Sequence, residues 1–360
     1  SRFKLTPGIV GGLGPHAHIW LERRLLELAG ERFGAAGDSD YPPWVVVSIP
    51  RTPDRTAALL AGGPDPTPAL LDALTRLRAA GADFAAIACN TMHVFLPRLA
   101  DAGRLPLPVV NVVVETAEVL HAARTSGSGG EGGGGGYDSS PCRGEVPAEG
   151  GGWGFVGPPP PAASRPPPPE KGRSLLSLPP SGGQSPPQAG DEGSSAHPHR
   201  PLPGRLPLKG VSGFSGRVGL LATTGTCRSG LFAAAFAKRG IELICPDDEL
   251  QESGVMAAIY GPRDQAGRRA GGIKGGLLDS PGATGRTPRQ MLGAVAEMLI
   301  GRGAEAIVVA CSEISLAIRP GDLPVPVVDT MDVLAEAMLE LASGRRELSS
   351  LPPAGDWPRV

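Results

Sequence analysis

Two stretches decide how this chain is read: Gly81-Ala82-Asp83-Phe84-Ala85-Ala86-Ile87-Ala88-Cys89-Asn90-Thr91 and Gly303-Ala304-Glu305-Ala306-Ile307-Val308-Val309-Ala310-Cys311-Ser312-Glu313. In each, a glycine opens a short continuous apolar run that ends on a cysteine eight positions later. Each is preceded by a helical pattern, 70–80 and 291–302, and followed by a second matching run, 105–111 and 323–329. Each half also opens on an apolar run that enters a glycine-rich turn, 9–15 and 218–226. Short apolar strands alternating with helices argue for parallel sheets covered on both faces. The repeat therefore predicts an α/β protein of two pseudo-symmetric parallel-sheet domains, with the active site in the cleft between them. Ligands of such sheets bind beyond the carboxyl ends of the strands, where Cys89 and Cys311 fall.

Composition fits this reading once one segment is set aside. The chain has 360 residues, of which 53 are Gly and 40 are Pro. Of these, 22 Gly and 18 Pro lie in residues 124–213. A segment so poor in branched and aromatic side chains cannot bury enough apolar surface to offset the entropy of ordering it, so a disordered insert is expected. Cys142, His197 and His199 fall inside it and are given no chemistry. The expected organisation is a first lobe at 7–123, the insert at 124–213, a second lobe at 214–342 and a tail at 343–360. The last helix of the first lobe is a candidate to cross between lobes.

Charge and cysteine content exclude several classes. With 34 basic and 36 acidic residues the net charge is −2, which favours neither a nucleic-acid nor a membrane partner. No apolar run approaches the ~18 residues needed to cross a bilayer, and the opening Ser1–Leu5 runs into a strand-like segment. Five irregularly spaced cysteines form neither a disulfide framework nor a zinc motif. The expectation is an intracellular protein with free thiols, cytoplasmic or plastid, and no metal. Gly11-Gly12-Leu13-Gly14 falls short of a dinucleotide fingerprint, and none of the chain's lysines sits in a pyridoxal phosphate context.

Two thiols facing one carbon suit a two-base proton transfer that inverts a stereocentre. One thiolate removes the α-proton and the opposite thiol supplies another. The carbanion must be stabilised by fixed donors on the α-carboxylate. Asn90, Thr91, Ser312 and the loop Thr223-Thr224-Gly225-Thr226 offer amide and hydroxyl donors at that level, and turns after strands offer backbone N–H groups. Glu313 adjoins Cys311 and either contacts the substrate ammonium, tunes the thiol or starts a helix. His93 is read as orienting its loop or relaying protons. Cys227 and Cys245 are read as packing residues.

The chain resembles the aspartate racemase family within the Asp/Glu/hydantoin racemases. The resemblance covers about residues 7–123 and 214–342. It rests on Gly11-Gly12-Leu13-Gly14-Pro15, Pro53-Asp54-Arg55-Thr56, Cys89-Asn90-Thr91-Met92-His93, Leu221-Ala222-Thr223-Thr224-Gly225-Thr226 and Cys311-Ser312-Glu313-Ile314, in order. It implies a cofactor-independent isomerase, usually a homodimer, that racemises aspartate through Cys89 and Cys311. It further implies that Asn90 and Thr91 hold the α-carboxylate, and that Arg55 and a lysine hold the distal one. Ile273-Lys274-Gly275-Gly276 matches the lysine motif best, but an extra stretch, 261–272, precedes it, and Arg263 or Gln265 are alternatives to Lys274. Leu13 and Thr224, in the two glycine-rich turns, complete the expected substrate-binding set with Ser312 and Glu313. Departures from the family pattern are Ser312 for a threonine, Ala88 for a proline and Arg51 for an uncharged residue. The competing readings are a racemase of glutamate or another acidic amino acid, a one-cysteine isomerase relative, and a non-catalytic binder of small ligands.

Overall fold

Strand β1 (Pro7–Gly11) is buried along its whole length and pairs in parallel on both sides, with β2 (Val45–Ser48) and β3 (Phe84–Ile87). The computed structural model describes residues 2–127, 214–282 and 285–359. Between these strands run α1 (Pro15–Phe33), α2 (Arg55–Leu60) and α3 (Thr67–Ala79), and α4 (Leu96–Asp101) and α5 (Val112–Gly127) follow. The second half repeats the plan. Strand β4 (Arg217–Leu221) lies between β5 (Glu242–Ile244) and β6 (Ala306–Val309), and β7 (Val327–Asp329) extends the sheet, again all parallel. Its helices are α6 (Thr224–Arg228), α7 (Leu231–Ala237), α8 (Asp248–Leu250), a π-helical turn at Gln251–Met256, α9 (Ala257–Tyr260), α10 (Pro288–Gly301) and α11 (Thr330–Ser343).

The apolar strands are continuous because both faces are covered. In β6, Ala306 and Val308 face one core, while Ile307 and Val309 face another built with Leu292 and Leu299 of α10. The first of these cores runs through both halves, joining Ile9 and Leu21 to Val218 and Met331. Gly219 explains how α10 sits so close to its sheet: a Cβ there would lie 2.6 Å from Ile307 Cδ1 and 3.0 Å from Leu299 Cβ.

The halves exchange their last helices. Helix α5 packs on α7 of the second half, and α11 packs on α1 of the first. Ion pairs follow the exchange: Arg239 with Glu118, and Arg24 and Arg32 with Asp332 and Glu336. The described residues accordingly fall in one compact unit. Residues 343–359 pack back on the chain. Trp357 is buried, Arg346 pairs with Glu115 and Arg359 with Asp101.

One expectation changes. The run 105–111 forms a single bridge, Ala85 with Val109, where its repeat partner forms β7. The insert expected at 124–213 lies outside the described residues except for 124–127, which extend α5. Cys142, His197 and His199 are likewise outside them. No helix among the described residues is long and apolar enough to cross a membrane.

Candidate active site

The carboxyl end of β1 turns through Gly12, whose φ of 81° and contact at 2.5 Å between a would-be Cβ and Ile49 N leave room only for glycine. The turn presents the Leu13 carbonyl to Arg55, which donates to it from Nη2 at 2.6 Å and to the Pro53 carbonyl from Nη1 at 3.1 Å. Asp54 caps α2 by accepting from the Ala57 N–H at 2.7 Å, so Arg55 is the first residue of a fixed helix. Its guanidinium stands beside the Cys89 side chain. Burial disfavours this cation, but Cys89, Asp54 and Tyr260 more than offset that and raise the Arg55 pKa.

Cys89 follows β3 and is buried, as is Cys311 after β6. His93, one turn beyond Cys89, donates from Nδ1 to the Cys89 carbonyl at 2.9 Å and accepts the Val112 N–H at Nε2. Complete burial pushes its pKa down to about 4. With both nitrogens engaged and the ring neutral, His93 orients the loop and has no lone pair free for a proton relay.

The second half is built differently. The Cys311 thiol donates to Glu313 Oε2 at 3.3 Å, and the Ser312 hydroxyl donates to the same oxygen at 3.2 Å. Glu313 Oε1 faces Lys274 Nζ at 3.3 Å, and that ammonium lies 4.9 Å from the centre of the Tyr260 ring. Burial and then the Glu313 charge push the Cys311 thiol well above the ordinary thiol range. Lys274 is also raised, because Glu313, Tyr260 and Cys311 outweigh its burial. Beside Cys311 the Glu313 charge outweighs that of Lys274, whereas the charge beside Cys89 is the Arg55 cation. Arg55, Lys274 and Glu313 meet in one cavity of ≈ 240 Å³, whose wall also includes Leu13, Gly14 and Asp54. Gly14 is a close fit, since a Cβ there would strike Glu313 Oε1.

Three hydroxyls lock the halves together. Thr91 Oγ1 lies 2.8 Å from Thr226 Oγ1 and 3.1 Å from Thr223 Oγ1, and these two are 3.1 Å apart. Asn90 donates to Thr330 Oγ1 at 3.0 Å, and its own Oδ1 is buried without a partner among the described residues. Thr224 turns away, donating to Glu252 Oε1 at 3.0 Å in an adjoining cavity. Of the three candidates for the lysine position, Lys274 stands with Arg55; Arg263 lines the adjoining cavity and Gln265 is exposed. Cys227 and Cys245 are partly buried against the core. Among the described residues no group of three His, Cys, Asp or Glu side chains is disposed to hold a metal ion.

Sequence reasoning overlooked Tyr260 and the role of Asp54. The cap was legible, since an aspartate three residues before Ala57 at a helix start is a capping signal. Nothing in the periodicity marks Tyr260, whose role depends on where Lys274 folds back.

Residues 10–129 and 208–338 match the family model described as Asp/Glu/Hydantoin racemase. The chain belongs to this family. Over 121 residues it is 31% identical to the broad specificity amino-acid racemase RacX of Bacillus subtilis (strain 168), covering 32% of this chain and 50% of that one. It therefore spans about half the length of this curated relative. The fold is similar to that of the Picrophilus torridus aspartate racemase, with a TM-score of 0.57 at 18% identity and 95% of each chain covered. An aspartate racemase homologue from Pyrococcus horikoshii OT3 gives 0.52 at 17% identity, with 94% of this racemase-family chain and 100% of that one covered.

Proposed function

We propose that the protein is a cofactor-independent racemase of acidic α-amino acids, aspartate first, with Cys89 and Cys311 as its two-base pair. The observation that carries this reading is the unlike charge beside the two thiols, Arg55 by Cys89 and Glu313 on Cys311, with Arg55 and Glu313 themselves lining one cavity. Cys89 as thiolate takes the Cα proton from one face, breaking C–H and forming S–H. Cys311, held as a thiol, returns a proton to the other face and becomes the thiolate. The opposite enantiomer runs the sequence backwards. No electrons are gained or lost, so the chemistry calls for no redox cofactor.

The charges in the cavity complement an acidic amino acid. Arg55 and Lys274 take the distal carboxylate, with the fork of Arg55 already aimed by two backbone carbonyls. Glu313 receives the ammonium in exchange for part of its hold on Lys274. Asn90, with Ser312 and the backbone N–H groups of the turns after the cysteines, holds the α-carboxylate where charge develops. Thr91 acts indirectly, through the hydroxyl triangle that fixes the two halves. The Bacillus subtilis relative's name as an amino-acid racemase supports the same reaction class. A homodimer belongs to this proposal and is read by sedimentation velocity.

The test is α-proton exchange. L-aspartate incubated with the purified protein in deuterium oxide, without added cofactor, is expected to gain α-deuterium and form D-aspartate. Both signals should vanish in Cys89→Ala and Cys311→Ala. Absence of exchange with aspartate and with glutamate would overturn the proposal.

A further inference from the structure

A second cavity, of ≈ 480 Å³, adjoins the first, with Asp54 in the wall of both. That volume is in the range of sites that enclose drug-sized ligands, roughly 300–1,000 Å³, and aspartate bound between Arg55 and Lys274 has no atoms to fill it. Its sides come from both halves. Ala57 and Leu60 of α2 face Met256 and Tyr260, giving an apolar throat. The far rim is the stretch 261–272, the extra segment that displaces the lysine motif in sequence.

This rim is a built structure. Arg263 and Arg269 form an antiparallel bridge, and the neck is closed so tightly that a Cβ on Gly261 would collide with the Ala270 carbonyl. Arg269 donates from Nη1 to the Gly261 carbonyl at 2.7 Å and from Nη2 to Glu252 Oε2 at 2.6 Å. Arg263 reaches the same carboxylate oxygen at 3.3 Å. Two guanidinium cations therefore share one carboxylate, which also accepts the Thr224 hydroxyl. The other charges are matched: Arg228 pairs with Asp248, and Asp54 lies next to Arg55. The rim keeps an excess of one positive charge at the end of an apolar throat.

We infer that this cavity is a side-chain subsite for acidic amino acids longer than glutamate, such as 2-aminoadipate, with the apolar stem between Leu60 and Met256 and the terminal carboxylate at Arg263. The inference rests on the racemase reading above and deepens it, extending the substrate class to 2-aminoadipate. Arg263 is more than half exposed, so it is available to a ligand as well as to Glu252.

The experiment compares α-proton exchange of L-aspartate, L-glutamate and L-2-aminoadipate in the wild type, Leu60→Trp and Arg263→Gln. Leu60 is 44% exposed, so the larger ring is tolerated by the fold, and aspartate exchange reports that directly. Wild type is expected to exchange 2-aminoadipate with kcat/KM within about tenfold of aspartate, whereas a site unable to take its two further methylenes would lose roughly tenfold or more for each. Leu60→Trp should lower kcat/KM for 2-aminoadipate by about tenfold or more while leaving aspartate within about twofold. Arg263→Gln should raise KM for 2-aminoadipate and spare aspartate. Exchange of aspartate without exchange of 2-aminoadipate overturns the subsite and leaves the racemase standing. Equal effects of Leu60→Trp on all three also overturn the subsite, and no exchange with any of them overturns both.

Discussion

Thr91 is where the resemblance and the geometry disagree most usefully, and Thr91→Val decides between them. If Thr91 held the substrate carboxylate, its hydroxyl would be free to turn to the cavity. Instead it bonds Thr226 at 2.8 Å and Thr223 at 3.1 Å, both from the other half. Valine keeps the shape and removes both hydrogen bonds. Each buried bond is worth about 0.5–1.5 kcal/mol net, and a hydroxyl left with an unused donor adds to the cost, so the change should destabilise by about 2 kcal/mol. For a unit of this size that lowers the midpoint of thermal unfolding by about 4–8 °C, at about 2–4 °C per kcal/mol. A cycle with Thr226→Val should return a coupling of about 0.5–3 kcal/mol, because the two share one triangle. Circular dichroism gives the unfolding curves, and aspartate exchange below the transition gives KM and kcat. A loss under about 0.5 kcal/mol, together with a tenfold rise in KM, would refute the structural assignment and return Thr91 to direct carboxylate binding.

Three further outcomes follow from the same structure. Glu313→Gln removes the negative charge that, after burial, pushes the Cys311 thiol upward. The thiol then ionises more readily, so the alkaline fall of kcat in the direction where Cys311 donates a proton should move to lower pH; an unmoved limb would show that Glu313 does not act on the thiol. Asp329, buried and near Asp332, has its pKa raised to about 7, against about 3.9 for an unfolded aspartate. The folded state holds that proton more tightly, so stability is full below about pH 4 and declines as pH rises to about 7. Asp329→Asn should flatten that slope in urea titrations at a series of pH values. Leu334→Ala, in the exchanged helix α11, should cost about 2–5 kcal/mol and lower both sheets in one cooperative transition; separate transitions for the two halves would contradict the shared core.

The repeat around Cys89 and Cys311 made the sheets legible because apolar continuity directly reflects coverage on both faces. Matching in sequence did not guarantee matching pairing. Both halves carry the Leu-Pro-x-Pro-Val-Val run, and in both a proline carbonyl accepts from the neighbouring strand: Pro108 from Ala85 N–H, Pro326 from Ile307 N–H. In the first half the Ile87 carbonyl, which would carry the ladder onward, turns to the Cys89 N–H at 2.7 Å, and pairing stops at one bridge. The helix exchange was less legible. Period alone identifies an apolar face on α5 and α11 but not the partner that covers it, and the ion pairs that suit the exchange join residues 121 to 308 positions apart. The placement of Lys274 depended on the path of 261–272, whose neck is closed by Arg269 and two glycines that local propensity reads only as loop.

The backbone pseudo-symmetry is broken where the thiols are tuned. Four residues beyond Cys89 stands His93, and four beyond Cys311 stands Ser315, which donates to Asp329 at 2.8 Å. Asn111 occupies the place of Asp329 in the first half and accepts from backbone N–H groups instead. Arg55 adjoins one thiol and Glu313 the other. A racemase cannot convert this asymmetry into a preferred product, because two enantiomers have the same free energy in water and the equilibrium constant is one at every pH. The ratio of kcat/KM for the two directions is therefore also one at every pH. The unequal thiols can appear only as compensating differences in kcat and KM, with the enantiomer that meets Cys311 as a thiol favoured in binding or turnover but not in both. Full pH profiles for D- and L-aspartate should thus cross-compensate, separating in kcat while coinciding in kcat/KM. Divergent kcat/KM profiles would mean that the chain catalyses something other than a simple exchange of two enantiomers.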